Sequence, residues 1–207
     1  MAKQKPTAPK NIIVLFLVAL VSVTILAVVN QVTMAPIASA EEAARQESYM
    51  KVYEGAEEIK DIADFDSKLK DYSKLHAQDP SIIINGVLEA YKGGEKVGYV
   101  IDATSPNGYG GDVQVALGIT NEGEITAFTV ISAANETPGL GARSTEPEFQ
   151  NQFSGLSALN RIAFSKTGAD KSKNEIDAIS GATITTTAVT NAVNEAINFY
   201  NNMLKGE

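Results

Sequence analysis

The sequence predicts an α+β protein, with a single N-terminal transmembrane helix followed by one domain in which a mainly antiparallel sheet packs against helices. Three observations support this fold class: an uncharged apolar run over residues 12–29, four short runs rich in Ile and Val over residues 81–133, and a C-terminal stretch with helical periodicity. A chain of 207 residues is long enough for one membrane anchor and one modest domain.

The apolar run Ile12 to Val29 is predicted to cross a membrane. Its 18 residues carry no charge, and as a helix they span roughly 27 Å, close to the thickness of a hydrocarbon core. Three lysines precede the run, and Arg45 is the first basic residue after it. Because cytoplasmic segments carry an excess of positive charge, residues 1–11 are predicted to be cytoplasmic and the C-terminal domain extracytoplasmic.

A cleaved signal peptide is the alternative interpretation, because Ala38-Ser39-Ala40 has the pattern of a cleavage site. The apolar part of a signal peptide is shorter than this run and lies closer to its cleavage site, so the spacing favours an uncleaved anchor. Either interpretation places the domain outside the cytoplasm.

Composition excludes several kinds of chemistry. The chain has no Cys and a single His, His76, which rules out iron–sulfur clusters, c-type haem attachment, thiolate nucleophiles and disulfides. A catalytic zinc site needs more ligands than one His provides. We therefore expect no catalytic side chain and no metal site, and any redox chemistry requires an organic cofactor.

Charge is distributed unevenly along the chain. The formal net charge is −8, but Lys3, Lys5 and Lys10 precede all 25 acidic residues, the first of which is Glu41. The part after the anchor therefore carries 14 basic and 25 acidic residues, a net charge of −11. Nucleic-acid binding depends on Lys and Arg replacing phosphate counterions, so no nucleic-acid partner is expected.

Residues 30–56 join the anchor to the domain, which is predicted over residues 57–207. The first part, residues 30–40, is expected to be a linker of small and polar residues, and residues 41–53 a juxtamembrane helix rich in Glu and Ala. Residues 57–75 are expected to be partly helical.

The sheet of the domain is predicted from four runs rich in Ile and Val that Gly-containing turns separate. Apolar residues alternate with polar or small ones, as in Val113, Val115 and Leu117. The break Asn121-Glu122-Gly123 is typical of a hairpin turn. The predicted strands are Ser81 to Lys92, Lys96 to Thr104, Asp112 to Thr120 and Glu124 to Ala133.

Two helices are predicted after the sheet, a short one over residues 146–153 and a long one at the C-terminus. Apolar residues between Val189 and Leu204 recur at spacings of one and three, so they lie on one helical face. The long helix is expected to begin near Thr183 and to pack on the sheet.

The segment from Asp177 to Thr183, with the sequence Asp-Ala-Ile-Ser-Gly-Ala-Thr, lies just ahead of this helix. Gly181 permits a tight turn with positive φ, and Ser180 or Thr183 is a candidate N-cap. The unpaired N–H groups and the positive dipole end of a helix N-terminus suit a phosphate. The alternative is that the segment is only a helix cap followed by a run of β-branched residues.

A second loop, Asn135 to Gly141 with the sequence Asn-Glu-Thr-Pro-Gly-Leu-Gly, follows the fourth predicted strand. One Pro and two Gly specify an unusual backbone path, and a Gly beside a flat ligand lets the backbone approach it closely. A rigid turn without a ligand is the alternative.

Together these segments resemble the FMN-binding domain family of the RnfG and NqrC subunits of membrane electron-transfer complexes. The resemblance rests on Gly108-Tyr109-Gly110-Gly111 ahead of a strand pair, on Glu136 to Gly141, and on Asp177-x-x-Ser180-Gly181-Ala182-Thr183. It covers about residues 10–205, nearly the whole chain. The chain is short and lacks long insertions, so it is more similar to the RnfG type than to the NqrC type.

The resemblance implies that a flavin transferase joins FMN, taken from FAD outside the cytoplasm, through its phosphate to the hydroxyl of Thr183. It further implies that Glu136 and Thr137 hydrogen-bond around the isoalloxazine ring and that Asp177 belongs to the transferase recognition motif. The residues expected to bind the cofactor are Thr183, Ser180, Gly181, Ala182, Asp177, Glu136, Thr137, Pro138, Gly139, Leu140, Gly141 and Tyr109.

The implied function is that of an electron-transfer subunit of the Rnf complex, a membrane-bound ferredoxin:NAD oxidoreductase that couples electron transfer to Na+ or H+ translocation. The subunit would carry one covalent FMN and have no independent turnover. The expected partners are the other Rnf subunits, the flavin transferase during maturation, and the membrane. Two alternatives stay open: an NqrC-type subunit of a Na+-translocating NADH:quinone reductase, and a membrane-anchored binding domain without flavin.

Overall fold

The computed structural model describes residues 8–206, and the chain divides into two compact units whose boundary in the sequence lies between Ala44 and Arg45. Two of the three N-terminal lysines, Lys3 and Lys5, lie outside the described residues, as does most of the predicted cytoplasmic segment.

Residues 8–44, the described part of the first unit, are helical. They belong to α1, which spans Ala8–Val52, and their large apolar side chains are exposed. By length and composition, Lys10–Val52 is a candidate membrane span. The sequence predicts a linker at residues 30–40, and the structure has helix there instead. The reason is that Pro36 holds φ at a helical value and removes one backbone hydrogen bond without ending the helix.

The second unit is an α+β domain built on a five-stranded sheet, in which each strand pairs antiparallel with its neighbour in sequence. The predicted fold class is confirmed, and the bounds of the four predicted strands differ from the expected ones by at most two residues. The strands of this sheet are β1 (Glu58–Asp61), β2 (Ile83–Lys92), β3 (Glu95–Ser105), β4 (Val113–Thr120) and β5 (Ile125–Ser132).

Three short strands lie outside the sequence-based expectation. β1 occupies part of residues 57–75, which are expected to be partly helical, and its one large apolar residue, Ile59, gives no alternation. The other two, β6 (Ala163–Ser165) and β7 (Glu175–Asp177), form a separate parallel pair. Strands of three or four residues are too short for a period-2 pattern to be visible.

Helices complete the domain, and the longest begins at Thr183, where the sequence predicts it. This helix continues into a π-helical turn at Tyr200–Leu204. The predicted helix over residues 146–153 is shorter than expected and follows a 3₁₀ turn at Gly141–Thr145. The three α-helices after α1 are α2 (Phe65–Leu75), α3 (Pro147–Gln150) and α4 (Thr183–Phe199).

The main core lies between α4 and one face of the sheet. Phe153, Phe199 and Tyr200 are fully buried in it, and the ring of Phe153 stacks on that of Phe128 with 4.2 Å between centroids. Burying aromatic rings of this size contributes a large part of the hydrophobic stabilisation of a small domain. Because α4 is held along this face, its N-terminal turn has a fixed position at the edge of the core.

The opposite face of the sheet packs against residues 45–56, where Val52 and Tyr53 are buried. A Cβ atom at Gly118 would collide with the backbone carbonyl oxygen of Val52, so glycine permits this close approach. These contacts make residues 45–56 part of the domain, which therefore begins before its predicted boundary at residue 57.

Candidate functional site

The three segments singled out in the sequence meet at one cavity of about 400 Å³. The loop between β3 and β4, the loop after β5 and the start of α4 each supply part of its wall. The side chains and backbone that line it are Tyr109, Glu136, Thr137, Leu140, Gly141, Gly181, Ala182, Thr183, Ile184 and Thr185.

The helix start at this cavity has no side-chain cap. Ala182 is the N-cap residue of α4 and makes no capping hydrogen bond, so the prediction that Ser180 or Thr183 caps the helix is wrong. Gly181 has φ of +78°, the left-handed conformation that turns the chain into the helix. The first N–H groups of α4 have no intrahelical partner and leave a positive dipole end at the cavity.

The threonines of this turn differ in what their hydroxyls bind. Thr186, Thr187 and Thr190 each donate to the carbonyl oxygen four residues earlier, at 2.7–3.0 Å. Thr185 is buried and donates to a carboxylate. Thr183 is exposed, and its hydroxyl has no hydrogen-bond partner among residues 8–206. Thr183 is therefore the one threonine of the run whose hydroxyl is free to react at the cavity.

Glu136 connects the three segments. Its side chain is buried, with 6% of its surface exposed. One carboxylate oxygen accepts from Thr185 Oγ1 at 2.7 Å, and the other accepts from the backbone N–H of Gly110 at 3.3 Å. Through these contacts, Glu136 on the loop after β5 connects the loop before β4 to α4. Both of its carboxylate oxygens therefore have a donor within the protein.

Small residues make room for this carboxylate. A Cβ atom at Gly141 would collide with Glu136 Oε2 and lie 2.6 Å from Thr185 Oγ1. A Cβ atom at Gly108 would lie 2.7 Å from Glu136 Oε1. Real Cβ atoms do not approach other atoms so closely, so glycine at these two positions is required for the buried Glu136 to fit.

Apolar side chains stand at the mouth of the cavity and remain accessible. Tyr109 is 68% exposed, Ile184 53% and Leu140 42%. Exposed large apolar groups that converge on a cavity indicate a ligand site. Ile184 lines the cavity but belongs to none of the three motifs. Its only signal in the sequence is an apolar side chain directly after Thr183, in the first turn of a predicted helix.

Four of the expected cofactor residues do not line this cavity. Pro138 and Gly139 are exposed on the turn of their loop. Asp177 and Ser180 line a neighbouring cavity of about 300 Å³, together with Arg143 and the start of α3. The Asp177–Thr183 segment is thus a wall between two cavities, with its first residues facing one and its last residues facing the other.

The site has the properties that a flavin mononucleotide requires. Its volume falls within the range of roughly 300–1,000 Å³ found for small-molecule sites. Its lining has apolar surfaces for a flat ring and the N-terminus of α4 for an anionic group. The free Thr183 hydroxyl lies in the same wall as that N-terminus. The described residues therefore fit FMN.

Comparison with known proteins supports this interpretation of the site. A family model described as the FMN-binding domain matches residues 108–198, and one described as the RnfG N-terminal region matches residues 1–52. The G subunit of the Na+-translocating ferredoxin:NAD+ oxidoreductase complex of Acetobacterium woodii is 37% identical over 201 residues, covering 93% of this chain and 91% of that protein. The chain belongs to the RnfG family. The resemblance drawn from the three motifs is confirmed.

One further relative and one solved structure differ in how much of this chain they match. The G subunit of the proton-translocating ferredoxin:NAD+ oxidoreductase complex of Clostridium ljungdahlii is 39% identical over 118 residues, which is 55% of this chain and 60% of that protein. The crystal structure of the C subunit of the Na+-translocating NADH-quinone reductase from Parabacteroides distasonis has a TM-score of 0.57 at 17% identity. The match covers 84% of this chain and 98% of that structure, and at this identity the RnfG-family chain shares its fold alone.

Proposed function

We propose that this protein is the membrane-anchored electron-carrying subunit of a ferredoxin:NAD oxidoreductase complex and holds FMN as a phosphoester on Thr183. In this function it passes electrons between other subunits, helps couple their flow to Na+ or H+ translocation, and has no turnover of its own. The similarity to the G subunit of such a complex along most of the chain favours this complex over the NADH:quinone reductase alternative.

The observation that carries the proposal is the state of the Thr183 hydroxyl. It lies on a cavity to which all three motif segments contribute, and it has no hydrogen-bond partner among the described residues. The hydroxyls of Thr185, Thr186, Thr187 and Thr190 are each engaged with an oxygen of the protein. A transferase would therefore meet one available nucleophile in this run.

The residues around Thr183 have distinct tasks in this proposal. The N-terminus of α4 stabilises the negative charge that a phosphodiester-type linkage keeps. Tyr109, Leu140 and Ile184 cover the ring and exclude water from it, and Tyr109 has the aromatic face for stacking. When bound, FMN supplies one-electron redox chemistry that the side chains of this protein lack.

The neighbouring cavity suits the maturation step. Asp177 and Ser180 face it, whereas Thr183 faces the FMN cavity. We expect the flavin transferase to bind the Asp177 side of this wall while the phosphoryl group is transferred to Thr183 on the other side. The transfer joins the Thr183 oxygen to the FMN phosphorus of FAD, and AMP leaves as the Thr183 proton is released.

The membrane part of the proposal rests on the apolar segment of α1. Residues 12–29 carry no ionisable side chain, so ion conduction would lie in partner subunits. The three N-terminal lysines favour a cytoplasmic N-terminus and an extracytoplasmic domain. Protease added to intact spheroplasts should then digest the domain, and full protection of residues 45–206 would contradict this orientation.

Flavinylation is tested by co-expressing the full chain with a flavin transferase and examining the denatured protein on a gel for flavin fluorescence. We expect a fluorescent band for the wild type and for Thr187→Val, and none for Thr183→Val. Thr187→Val is the matched control, since it removes a threonine hydroxyl one turn away that is already bonded to the backbone carbonyl oxygen of Thr183.

Two outcomes would contradict the proposal. Fluorescence that persists in Thr183→Val would place the linkage on another residue. A wild-type chain that folds but never becomes fluorescent would favour the remaining alternative, a membrane-anchored binding domain without flavin.

A further inference from the structure

The wall of the FMN cavity contains a buried carboxylate that flavin attachment does not use. Glu136 is 6% exposed and lines the same cavity as Thr183. Its two oxygens accept hydrogen bonds from Thr185 Oγ1 and from the N–H of Gly110. Two accepted hydrogen bonds, one on each oxygen, are the arrangement that suits an ionised carboxylate.

Among the described residues, this carboxylate has no cationic partner. Both of its donors are neutral groups, and no Lys, Arg or His among residues 8–206 forms an ion pair with Glu136. The nearest basic residue in sequence, Arg143, is paired with Glu146 at 3.3 Å. Because ionic screening by solvent is weak at a buried position, the negative charge of Glu136 acts on whatever occupies the cavity.

The protein is shaped to keep the carboxylate there. Gly108 and Gly141 lie so close to the Glu136 carboxylate that neither position has space for a Cβ atom. A buried, unpaired charge is costly for stability, and a shorter or apolar residue at position 136 would avoid that cost. The two glycines leave room for the Glu136 carboxylate in the cavity wall, and the two donors hold it there.

We propose that Glu136 lowers the reduction potential of the bound flavin. The inference rests on the proposed function and adds to it the residue that sets the electron affinity of the site. A flavin ring held in this cavity would gain negative charge on reduction unless a proton accompanied the electron. Repulsion by the fixed charge of Glu136 makes the first electron harder to add, and it also favours uptake of the compensating proton.

The test is a potentiometric titration of the flavinylated full chain in detergent, with dithionite as the reductant and flavin absorption as the signal. We expect Glu136→Gln to raise the reduction potential of the flavin. At a given applied potential the ratio of oxidised to one-electron-reduced flavin should fall about tenfold, which corresponds to a rise of ~59 mV for a one-electron couple. Gln keeps the size of the side chain and one of its two acceptor oxygens, so the change removes the charge and leaves the shape of the cavity wall the same.

Glu195→Gln is the matched control. Glu195, on α4, is also a buried carboxylate, with 3% exposure, but it accepts from Tyr72 Oη and lies outside the FMN cavity. We expect the potential of this variant to equal that of the wild type. An equal rise in both variants would show an effect of net charge and overturn the proposal, as would an unchanged potential in Glu136→Gln.

A second variant covers the case in which Glu136→Gln does not fold. Thr185→Val keeps the Glu136 carboxylate and removes the hydroxyl that donates to it. The negative charge of Glu136 is then less compensated, so the reduction potential of the flavin should fall below that of the wild type. A rise in this variant would overturn the proposal.

The failure of the inference is distinguishable from that of the proposed function. Covalent fluorescence with an unchanged potential removes the role of Glu136 alone, and absence of covalent flavin from the wild type removes both.

Discussion

The hydrogen bond between Thr185 and Glu136 should be a measurable contribution to the stability of the domain. Thr185→Val keeps the shape of the side chain and removes the hydroxyl that donates to the Glu136 carboxylate at 2.7 Å. Both residues are buried, at 1% and 6% exposure, so water does not readily replace the lost donor. The carboxylate then keeps only the Gly110 N–H at 3.3 Å.

The magnitude follows from the kind of bond. A hydrogen bond to a charged group contributes roughly 1.5–3 kcal/mol, and we expect the free energy of unfolding to fall by about 2 kcal/mol. For a domain of this size, that corresponds to a fall in Tm of roughly 4–8 °C. Urea or thermal unfolding of the full chain in detergent, followed by tyrosine fluorescence because the chain has no Trp, measures both quantities.

Thr187→Val is the control for this measurement. Thr187 is partly exposed and its hydroxyl donates to the backbone carbonyl oxygen of Thr183 within the helix, so the change should stay within about 0.5 kcal/mol. A Thr185→Val variant as stable as this control would refute the bridging role of Glu136. A double-mutant cycle with Glu136→Gln adds a second criterion, because coupled partners must give a non-additive change in the free energy of unfolding.

Three further predictions concern the rest of the domain. Phe153→Ala should lower the free energy of unfolding by about 3–5 kcal/mol, measured by urea unfolding, because the ring is fully buried against a stacked neighbour. Gly118→Ala should cost about 1–3 kcal/mol by overpacking, whereas Gly86→Ala, where an added Cβ meets nothing within 4 Å, should be tolerated. Burial raises the pKa of Tyr53 to about 12 from its unfolded value of about 10. The protonated Tyr53 hydroxyl therefore contributes fully to stability below pH ~10, and this contribution is lost as the pH rises towards 12. Tyr53→Phe should flatten the decline of Tm over that interval, and an unchanged decline would contradict this assignment.

Elements with a strong local pattern are well predicted from the sequence. The strands β2 to β5 and the start of α4 at Thr183 lie where alternation, glycine turns and helical periodicity predict them. The short strands β1, β6 and β7 have no such pattern, since their positions are set by pairing with distant partners. Helix through Pro36 is likewise not predicted, because proline normally indicates a break and the helix-forming residues on both sides outweigh it here.

The site was predictable as a set of segments but not as a set of contacts. Tyr109, Thr137 and Thr183 share one cavity, as the three motifs suggest. The family resemblance implies a contact between Glu136 and the flavin ring, but it does not indicate that Glu136 also binds Thr185 and the backbone of a loop more than twenty residues earlier. Such partners depend on tertiary packing, and no local spacing in the sequence reveals them.

The hydrogen bonds of the threonine run distinguish the folded protein from the unfolded chain as a substrate for modification. An unfolded chain presents all five hydroxyls alike, whereas the folded domain presents only that of Thr183 free of hydrogen bonds among residues 8–206. Selective modification would then not depend on the enzyme distinguishing neighbouring threonines, because the fold conceals the wrong ones. A single flavin at Thr183 would therefore indicate that the domain had folded before it was modified.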